Sequence, residues 1–310
     1  MWPFSYSKRK MSSYKNLIHA KEVYKQGFTG DGIGVALLDT GVYNHPDIGN
    51  QVIYFKDFVY QKALPYDNNG HGTHVAGIIC GDGTKSNGKI KGMAPKCNLI
   101  ALKVLDANGD GETDHVVEAL DWIWQYHKEY DIRIINFSMG FHPHTENKKQ
   151  EQIVNKLEEL WKEGIAVVTA AGNGGPLRQT IATPGISKIL ITVGAVSGGL
   201  GHYKMESYSG RGPTLEGVLK PEILAPGSKI ISLATYGHGY TSKSGTSMSV
   251  PIVTGALALA LEANPNLKAE ELKRILFSTV VRVPDFKEEC WGVLHVDRLV
   301  QKALDISKKA

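Results

Sequence analysis

Short apolar runs recur along the first two thirds of the chain and give its main pattern. Runs of this length and composition are typical of strands that are buried on both faces of a parallel sheet. The runs that carry this prediction are 35–38, 99–105, 132–137, 165–169 and 189–193.

Between some of these runs, apolar residues recur three and four positions apart, which predicts amphipathic helices. The two sets are Val116, Leu120 and Ile123, and then Ile153, Leu157, Leu160 and Trp161. Gly164 is expected to end the second helix. Alternating strands and helices predict an α/β fold, with a doubly wound, mostly parallel sheet between two helical layers.

Polar or glycine-rich residues follow three of the predicted strands. Asp39 follows the first, Ser138 the third, and Ala171-Gly172-Asn173 the fourth. Since binding sites in open parallel sheets form beyond the carboxyl ends of the strands, these residues are expected to line one cleft.

The stretch Gly245-Thr246-Ser247-Met248 lies where a loop becomes a helix, because the largely apolar segment 249–261 follows it. Free backbone N–H groups and the positive end of the helix dipole surround a serine at such a junction. The position therefore suits a nucleophile and a developing oxyanion.

Composition narrows the class of protein without naming its chemistry. The 310 residues are 42% hydrophobic and 21% charged, as in ordinary globular domains, and the net charge of +4 is too mild to predict a nucleic-acid partner. No run of eighteen apolar residues predicts a membrane span. Neither a repeat nor a low-complexity linker divides the chain, so we expect one domain over residues 15–310 after a short extension, residues 1–14.

Cysteine usage favours a reducing compartment. The three cysteines, Cys80, Cys97 and Cys290, are too few and odd in number for a disulfide framework. The N-terminal residues contain no apolar segment of signal-peptide length. We therefore expect a cytoplasmic protein, although secretion of a processed form stays open.

Two further motifs carry candidate chemistry. The motif Asp39-Thr40-Gly41 places a carboxylate at the end of a predicted strand. The same motif occurs in aspartic proteases, but these need two such carboxylates. The sequence contains no second Asp-Thr-Gly and no Asp-Ser-Gly. His71 opens the apolar segment 71–77. His71 and His74 are three apart with no Glu between them, unlike the H-E-x-x-H zinc motif, so His74 is expected to be a packed structural histidine.

The chain order Asp39, His71, Ser247 is the order found in subtilisins. With the three local motifs, it makes the chain resemble the subtilisin family of serine proteases from about residue 16 to residue 279, and most of all the intracellular members. The resemblance implies a subtilisin-like fold. The serine lies in the sequence Gly-Thr-Ser-Met-Ser, whereas α/β-hydrolases have the pattern G-x-S-x-G, so the sequence also disfavours an α/β-hydrolase.

The resemblance assigns roles to these residues. Ser247 would be the nucleophile, His71 the general base and then acid, and Asp39 the carboxylate that orients His71. Asn173 matches the family's oxyanion donor, with the Ser247 N–H as the second donor and Thr246 as a weaker contact.

The resemblance also implies where an extended substrate lies. Gly109-Asp110-Gly111 and Ser138-Met139-Gly140 match the edge segments that pair with the substrate backbone. Ser138 to Gly140 and Ala170-Ala171-Gly172 would also form the wall of the pocket for the side chain before the cleaved bond, P1. These segments carry little charge, which favours an apolar P1 residue.

No cofactor is expected for catalysis, but the resemblance admits a structural calcium ion. His45-Pro46-Asp47 matches the segment that supplies a carboxylate ligand, so Asp47 is the named metal candidate, with a surface turn as its alternative. His45 itself is expected at the surface. The loop 81–89 is longer and more basic than the family's calcium loop.

We therefore expect an endopeptidase that acts on proteins or peptides with broad specificity, in intracellular protein degradation. The alternatives are a processing protease with one substrate and a catalytically silent regulator that binds peptides. Residues 1–14 would resemble an inhibitory extension, and a homo-oligomer stays open.

Overall fold

The computed structural model describes residues 14–141, 148–199, 202–286 and 290–308. The proposed inhibitory role of the N-terminal extension falls almost entirely on residues 1–13, outside the described residues, and stays a prediction.

Strands and helices alternate along most of the described chain. The strands are β1 (Gly34–Asp39), β2 (Val52–Asp57), β3 (Asn98–Lys103), β4 (Ile132–Phe137), β5 (Ala166–Ala170), β6 (Ile191–Gly199), β7 (His202–Met205), β8 (Ile223–Pro226), β9 (Ile230–Leu233), β10 (Tyr240–Lys243) and β11 (Gly292–Val293). The α-helices are α1 (Tyr14–Leu17), α2 (Lys21–Lys25), α3 (His71–Cys80), α4 (Thr113–Tyr126), α5 (Lys148–Lys162), α6 (Thr246–Ala263), α7 (Ala269–Thr279) and α8 (Val296–Ser307).

One sheet dominates the described part of the chain, with strand order β11-β8-β6-β5-β4-β1-β3-β2. All neighbours on this path are parallel, and β7 adds an antiparallel strand to β6. The chain winds from β1 to β3 and β2 on one side and to β4 and β5 on the other. This reversal is the doubly wound arrangement that the alternation predicted, and it opens a crevice beyond the end of β1.

Helices flank the sheet in two groups. The helices α3 and α8 pack on α6, which contacts β4, β5, β6 and β8, whereas α4 and α5 pack on each other and contact β1 and β5. By length and composition α6 alone among the described helices is apolar enough to span a bilayer, but 89% of it is buried inside the protein. It is the central helix of the core.

The predicted strands and helices are confirmed, and the strands that were not predicted are partly exposed or short. The five apolar runs form β1, β3, β4, β5 and β6, and β6 continues to Gly199. The helix α5 ends at Lys162, just before Gly164, whose φ of +96° suits glycine. The strands β2, β7 and β10 are partly exposed, and β11 has only two residues. The strands β8 and β9 are buried, but each has only four residues.

Candidate active site

The three predicted catalytic residues come from three different elements. Asp39 ends β1, His71 begins α3, and Ser247 is the second residue of α6. Glycine permits the close approach of the first two elements: a Cβ added at Gly72 would lie 2.1 Å from the backbone oxygen of Gly41. The start of α3 therefore lies directly against the end of β1.

Asp39 and His71 form a short hydrogen bond. His71 Nδ1 lies 2.7 Å from Asp39 Oδ1, and the Asp39 side chain is only 2% exposed. Because an ionised carboxylate only accepts hydrogen bonds, Nδ1 carries the proton and Nε2 is left as the basic nitrogen. The Thr40 N–H also donates to Asp39 Oδ1 at 2.8 Å, which fixes the orientation of the carboxylate.

The charges around His71 favour its protonated form. Burial lowers the pKa of His71, but the charge of Asp39 and its hydrogen bond outweigh this effect. Asp67 adds to the increase and Lys243 opposes it. The pKa of His71 therefore lies above its ordinary value, which is the effect of an oriented carboxylate beside an imidazole.

Ser247 lies in the first turn of α6, partly exposed to the cleft. Its hydroxyl donates to the backbone carbonyl of Ser138 at 2.8 Å, and it makes no hydrogen bond with His71. The loop before it depends on Gly245, whose φ is +149°. The structure thus places Ser247 and the imidazole of His71 in one cleft, with the serine hydroxyl directed at the residue that follows β4.

The side chain of Asn173 is held by the residue before the serine. Its Oδ1 accepts from the Thr246 N–H at 3.0 Å and from the Thr246 hydroxyl at 3.2 Å. A Cβ added at Gly245 would lie 3.4 Å from Asn173 Nδ2, so the NH₂ group is beside the same loop. This orientation leaves the two N–H donors of Asn173 available to a ligand in the cleft.

The cleft around these residues has a volume of about 520 Å³. Most of the predicted substrate segments line it: Gly109, Ser138, Met139, Gly140, Ala170, Gly172 and Thr246. Asp110 and Gly111 are not among its lining residues, and Gly111 packs against Leu105. Ala171 is fully buried; its N–H and carbonyl bond to Val193 and Ala182.

Several lining residues escaped the sequence analysis. They are Thr40, Asn69, Leu105, Asn108, Phe141, Gly174, Thr180 and Ala182. Ala182 is close to both pocket walls, because a Cβ at Gly140 or at Gly172 would lie within 3 Å of the Ala182 Cβ. The neighbouring Thr183-Pro184 bond is cis.

His74 is the packed histidine that the sequence predicted. It is fully buried, and its Nε2 lies 3.1 Å from the Ile230 carbonyl oxygen. Burial lowers the pKa of His74 to about 4. A neutral histidine in this position joins α3 to β9 and does not face the cleft.

Asp47 does not have the surroundings of a calcium ligand. It is fully buried; its Oδ1 accepts from the Lys85 N–H at 2.6 Å and its Oδ2 from the Tyr240 hydroxyl at 2.7 Å. Calcium takes six to eight oxygen ligands, whereas both oxygens of Asp47 already accept hydrogen bonds from protein donors. His45, expected at the surface, is fully buried beside this carboxylate.

Solved structures with the same architecture place the fold in a known class. Sphericase superimposes with a TM-score of 0.72 and 34% identity, over 81% of this chain and 84% of that one. A cold-adapted subtilisin-like serine proteinase superimposes with a TM-score of 0.71 and 30% identity, over 87% and 90% of the two chains. The fold is that of the subtilisin-like serine proteases.

Sequence comparisons give the family. The profile of the subtilase family matches residues 30–302. Serine protease AprX of Bacillus subtilis (strain 168) is 42% identical in an alignment 281 residues long. The alignment covers 83% of this chain and 64% of that protein, so this chain spans less than two thirds of that relative. Subtilisin DY of Bacillus licheniformis is 34% identical over 92% of this chain and 97% of that protein. The chain belongs to the subtilase family.

Proposed function

We propose that this chain hydrolyses peptide bonds through an acyl-enzyme, with Asp39, His71 and Ser247 as its catalytic triad. The observation that carries the proposal is the 2.7 Å hydrogen bond between His71 and the buried Asp39, in the cleft that Ser247 lines. In this proposal His71 is the base that Ser247 needs, and Asp39 is the carboxylate that orients this base.

His71 would act first as a base and then as an acid. Its Nε2 accepts the Ser247 proton as the hydroxyl attacks the substrate carbonyl, and the imidazolium then protonates the leaving amine. The hydroxyl must first turn from the Ser138 carbonyl to His71. Catalytic hydrogen bonds of unliganded enzymes often form only when the substrate is bound, so this starting geometry is compatible with catalysis.

The oxyanion would bind between Asn173 and the start of α6. The Asn173 NH₂ group and the Ser247 N–H are the two donors, and Thr246 holds the amide of Asn173 in place. Fixed donors of this kind stabilise the tetrahedral intermediate without reorganisation. The proposed steps use these groups and water, with no metal or cofactor.

The substrate would lie extended between two chain edges, 109–111 and 138–140. The pocket wall at Gly140, Ala170 and Gly172 is made of glycine and alanine, and Ala182 lies against it. Small uncharged walls favour an apolar or aromatic P1 side chain, as in other apolar pockets. Asp110 would contribute its backbone at the exposed rim, outside the cleft itself.

We propose broad-specificity protein degradation in the cytoplasm as the role. All three cysteines are buried, which is compatible with a reducing compartment. Cleavage of a random peptide library tests the breadth: many cleaved sequences with apolar P1 residues support degradation, and one preferred sequence supports a processing protease. A tagged copy that fractionates outside the cytoplasm would overturn the localisation. Whether the chain forms a homo-oligomer stays open, and light scattering can measure it.

A fluorophosphonate probe tests the chemistry directly. The wild-type protein should be labelled, Ser247→Ala should not, and Ser244→Ala should be labelled like the wild type. Ser244 is the matched control because it is an exposed serine three residues earlier in the same loop. Absence of labelling in freshly folded wild-type protein would favour the catalytically silent peptide-binding regulator.

A further inference from the structure

Asp67 is a buried carboxylate that the mechanism above does not use. It lies in the loop between β2 and α3, four residues before His71, and is 7% exposed. A buried carboxylate is costly unless hydrogen bonds satisfy its oxygens. Both oxygens of Asp67 are satisfied by the two chain segments that carry Asp39 and His71.

Towards α3, Asp67 takes the place of a capping side chain. Its Oδ1 accepts from the Gly70 N–H at 2.8 Å, and its Oδ2 accepts from the N–H of Thr73 at 2.9 Å and from its hydroxyl at 2.6 Å. The N-cap residue is Gly70, which has no side chain to do this. A negative charge is also favourable at a helix N-terminus. Asp67 therefore fixes the turn that begins with His71.

Towards β1, Asp67 acts through the hydroxyl of Thr40. This hydroxyl donates to Asp67 Oδ1 at 2.9 Å and accepts from the Gly72 N–H at 2.9 Å. The N–H of the same Thr40 donates to Asp39 Oδ1. One residue thus links Asp67, the carboxylate of Asp39 and the backbone beside His71.

The surrounding charges make this arrangement stable. Lys103 is fully buried, and its ammonium donates to the carbonyl oxygens of Thr40 and Leu105, each at 2.7 Å. Burial lowers the pKa of Lys103, and the charge of Asp67 is the largest effect that raises it. A buried cation and a buried anion therefore fix Thr40 from two sides.

We propose that Asp67 is the positioning residue of the triad, which keeps Asp39 and His71 in hydrogen-bond register by linking the end of β1 to the start of α3. The inference rests on the proposed catalytic function. Asp67 is not among the residues that line the cleft. Its loss should therefore lower kcat with little change in KM, because misplacement of catalytic groups slows the chemical step more than it weakens binding.

Asp67→Asn is the first test, and Asp57→Asn is its matched control. Asp57 is also buried and accepts four hydrogen bonds, but only from Val59, Tyr60, Lys62 and Tyr66 of its own loop. We expect Asp67→Asn to lower kcat on a peptide substrate about 10- to 100-fold. Asp57→Asn should lower the unfolding temperature but leave kcat of the folded enzyme near that of the wild type.

The pH profile separates positioning from general stability. The charges that act on His71 are Asp39 and Asp67, which raise its pKa, and Lys243, which lowers it. Asp67→Asn removes one of the two negative charges, so the acid limb of kcat/KM should move to lower pH. A merely structural role would lower the unfolding temperature without moving this limb.

Thr40 supplies a second test if Asp67→Asn does not fold. Thr40→Val removes the linking hydroxyl and should lower kcat, whereas Thr40→Ser retains it and should restore most of the rate. A folded Asp67→Asn enzyme with wild-type kcat and pH profile, or equal rates for the two Thr40 variants, would overturn the inference while the proposed function stands. A wild-type protein without activity would overturn both.

Discussion

Gly72 lies against Gly41 so closely that any side chain at position 72 would displace the triad. A Cβ there would lie 2.1 Å from the Gly41 carbonyl oxygen and 3.1 Å from Asp39 Oδ1. The first contact is with backbone, which cannot turn away as a side-chain end does. The proposed catalysis therefore depends on a glycine next to His71, the proposed general base.

Gly72→Ala should lose activity and stability together. Overpacking of this kind costs about 1–3 kcal/mol of the free energy of unfolding. Differential scanning calorimetry and peptide hydrolysis measure the two effects. Gly49→Ala is the control, because a Cβ at Gly49 meets nothing within 4 Å and its φ is not positive, so both quantities should stay near wild type. An unchanged unfolding temperature in Gly72→Ala would contradict the close contact.

The activity of the wild type should fall on acidification at a pH above the ordinary pKa of histidine. His71 must be neutral to accept the serine proton, and its pKa is raised, so the base is lost as pH falls through that raised value. The midpoint of the acid limb of kcat/KM should lie above about 6.5. A midpoint at or below that value would contradict the effect of Asp39 on His71.

Asn173→Ala should lower kcat and leave KM nearly unchanged. Loss of one oxyanion donor costs about 10²–10³ in kcat, a magnitude known from a subtilisin. Asn108→Ala is a suitable comparison, since Asn108 lines the same cleft but lies outside the proposed oxyanion site. Steady-state kinetics of both variants decide the point: equal losses of kcat would show that Asn173 has no special role.

Stability should not depend on calcium at Asp47. The backbone N–H of Lys85 and the hydroxyl of Tyr240 already bond to the two carboxylate oxygens. We expect EDTA to leave the contribution of Asp47 to stability unchanged. Tyr240→Phe should cost about 1.5–3 kcal/mol, the range for hydrogen bonds to charged groups.

Thermal unfolding with and without EDTA, for wild type and Asp47→Asn, distinguishes the two interpretations of Asp47. The structure predicts that any effect of EDTA is the same in both proteins. A destabilisation by EDTA that disappears in Asp47→Asn would establish calcium binding at this carboxylate, as the resemblance implied.

Linear patterns were sufficient for the central strands and the catalytic motifs. The apolar runs of β1, β3, β4 and β5 are continuous because both faces of these strands are buried, so the signal is local. The motifs around Asp39, His71 and Ser247 are equally local, because each consists of a few consecutive residues. Chain order then sufficed to predict the family.

Long-range contacts settled what no linear pattern shows. Asp67 and Thr40 are 27 residues apart, and nothing near either residue signals their hydrogen bond. Ala182 and Leu105 line the cleft because loops from separate parts of the chain meet there. His45 was expected at the surface and Asp47 as a metal ligand or surface turn, but both are buried, and Tyr240, 193 residues beyond Asp47, donates to the Asp47 carboxylate. The burial of a residue and its hydrogen-bond partners are decided only when distant segments pack together. Strands and motifs, in contrast, can be recognised from residues that are neighbours in the sequence.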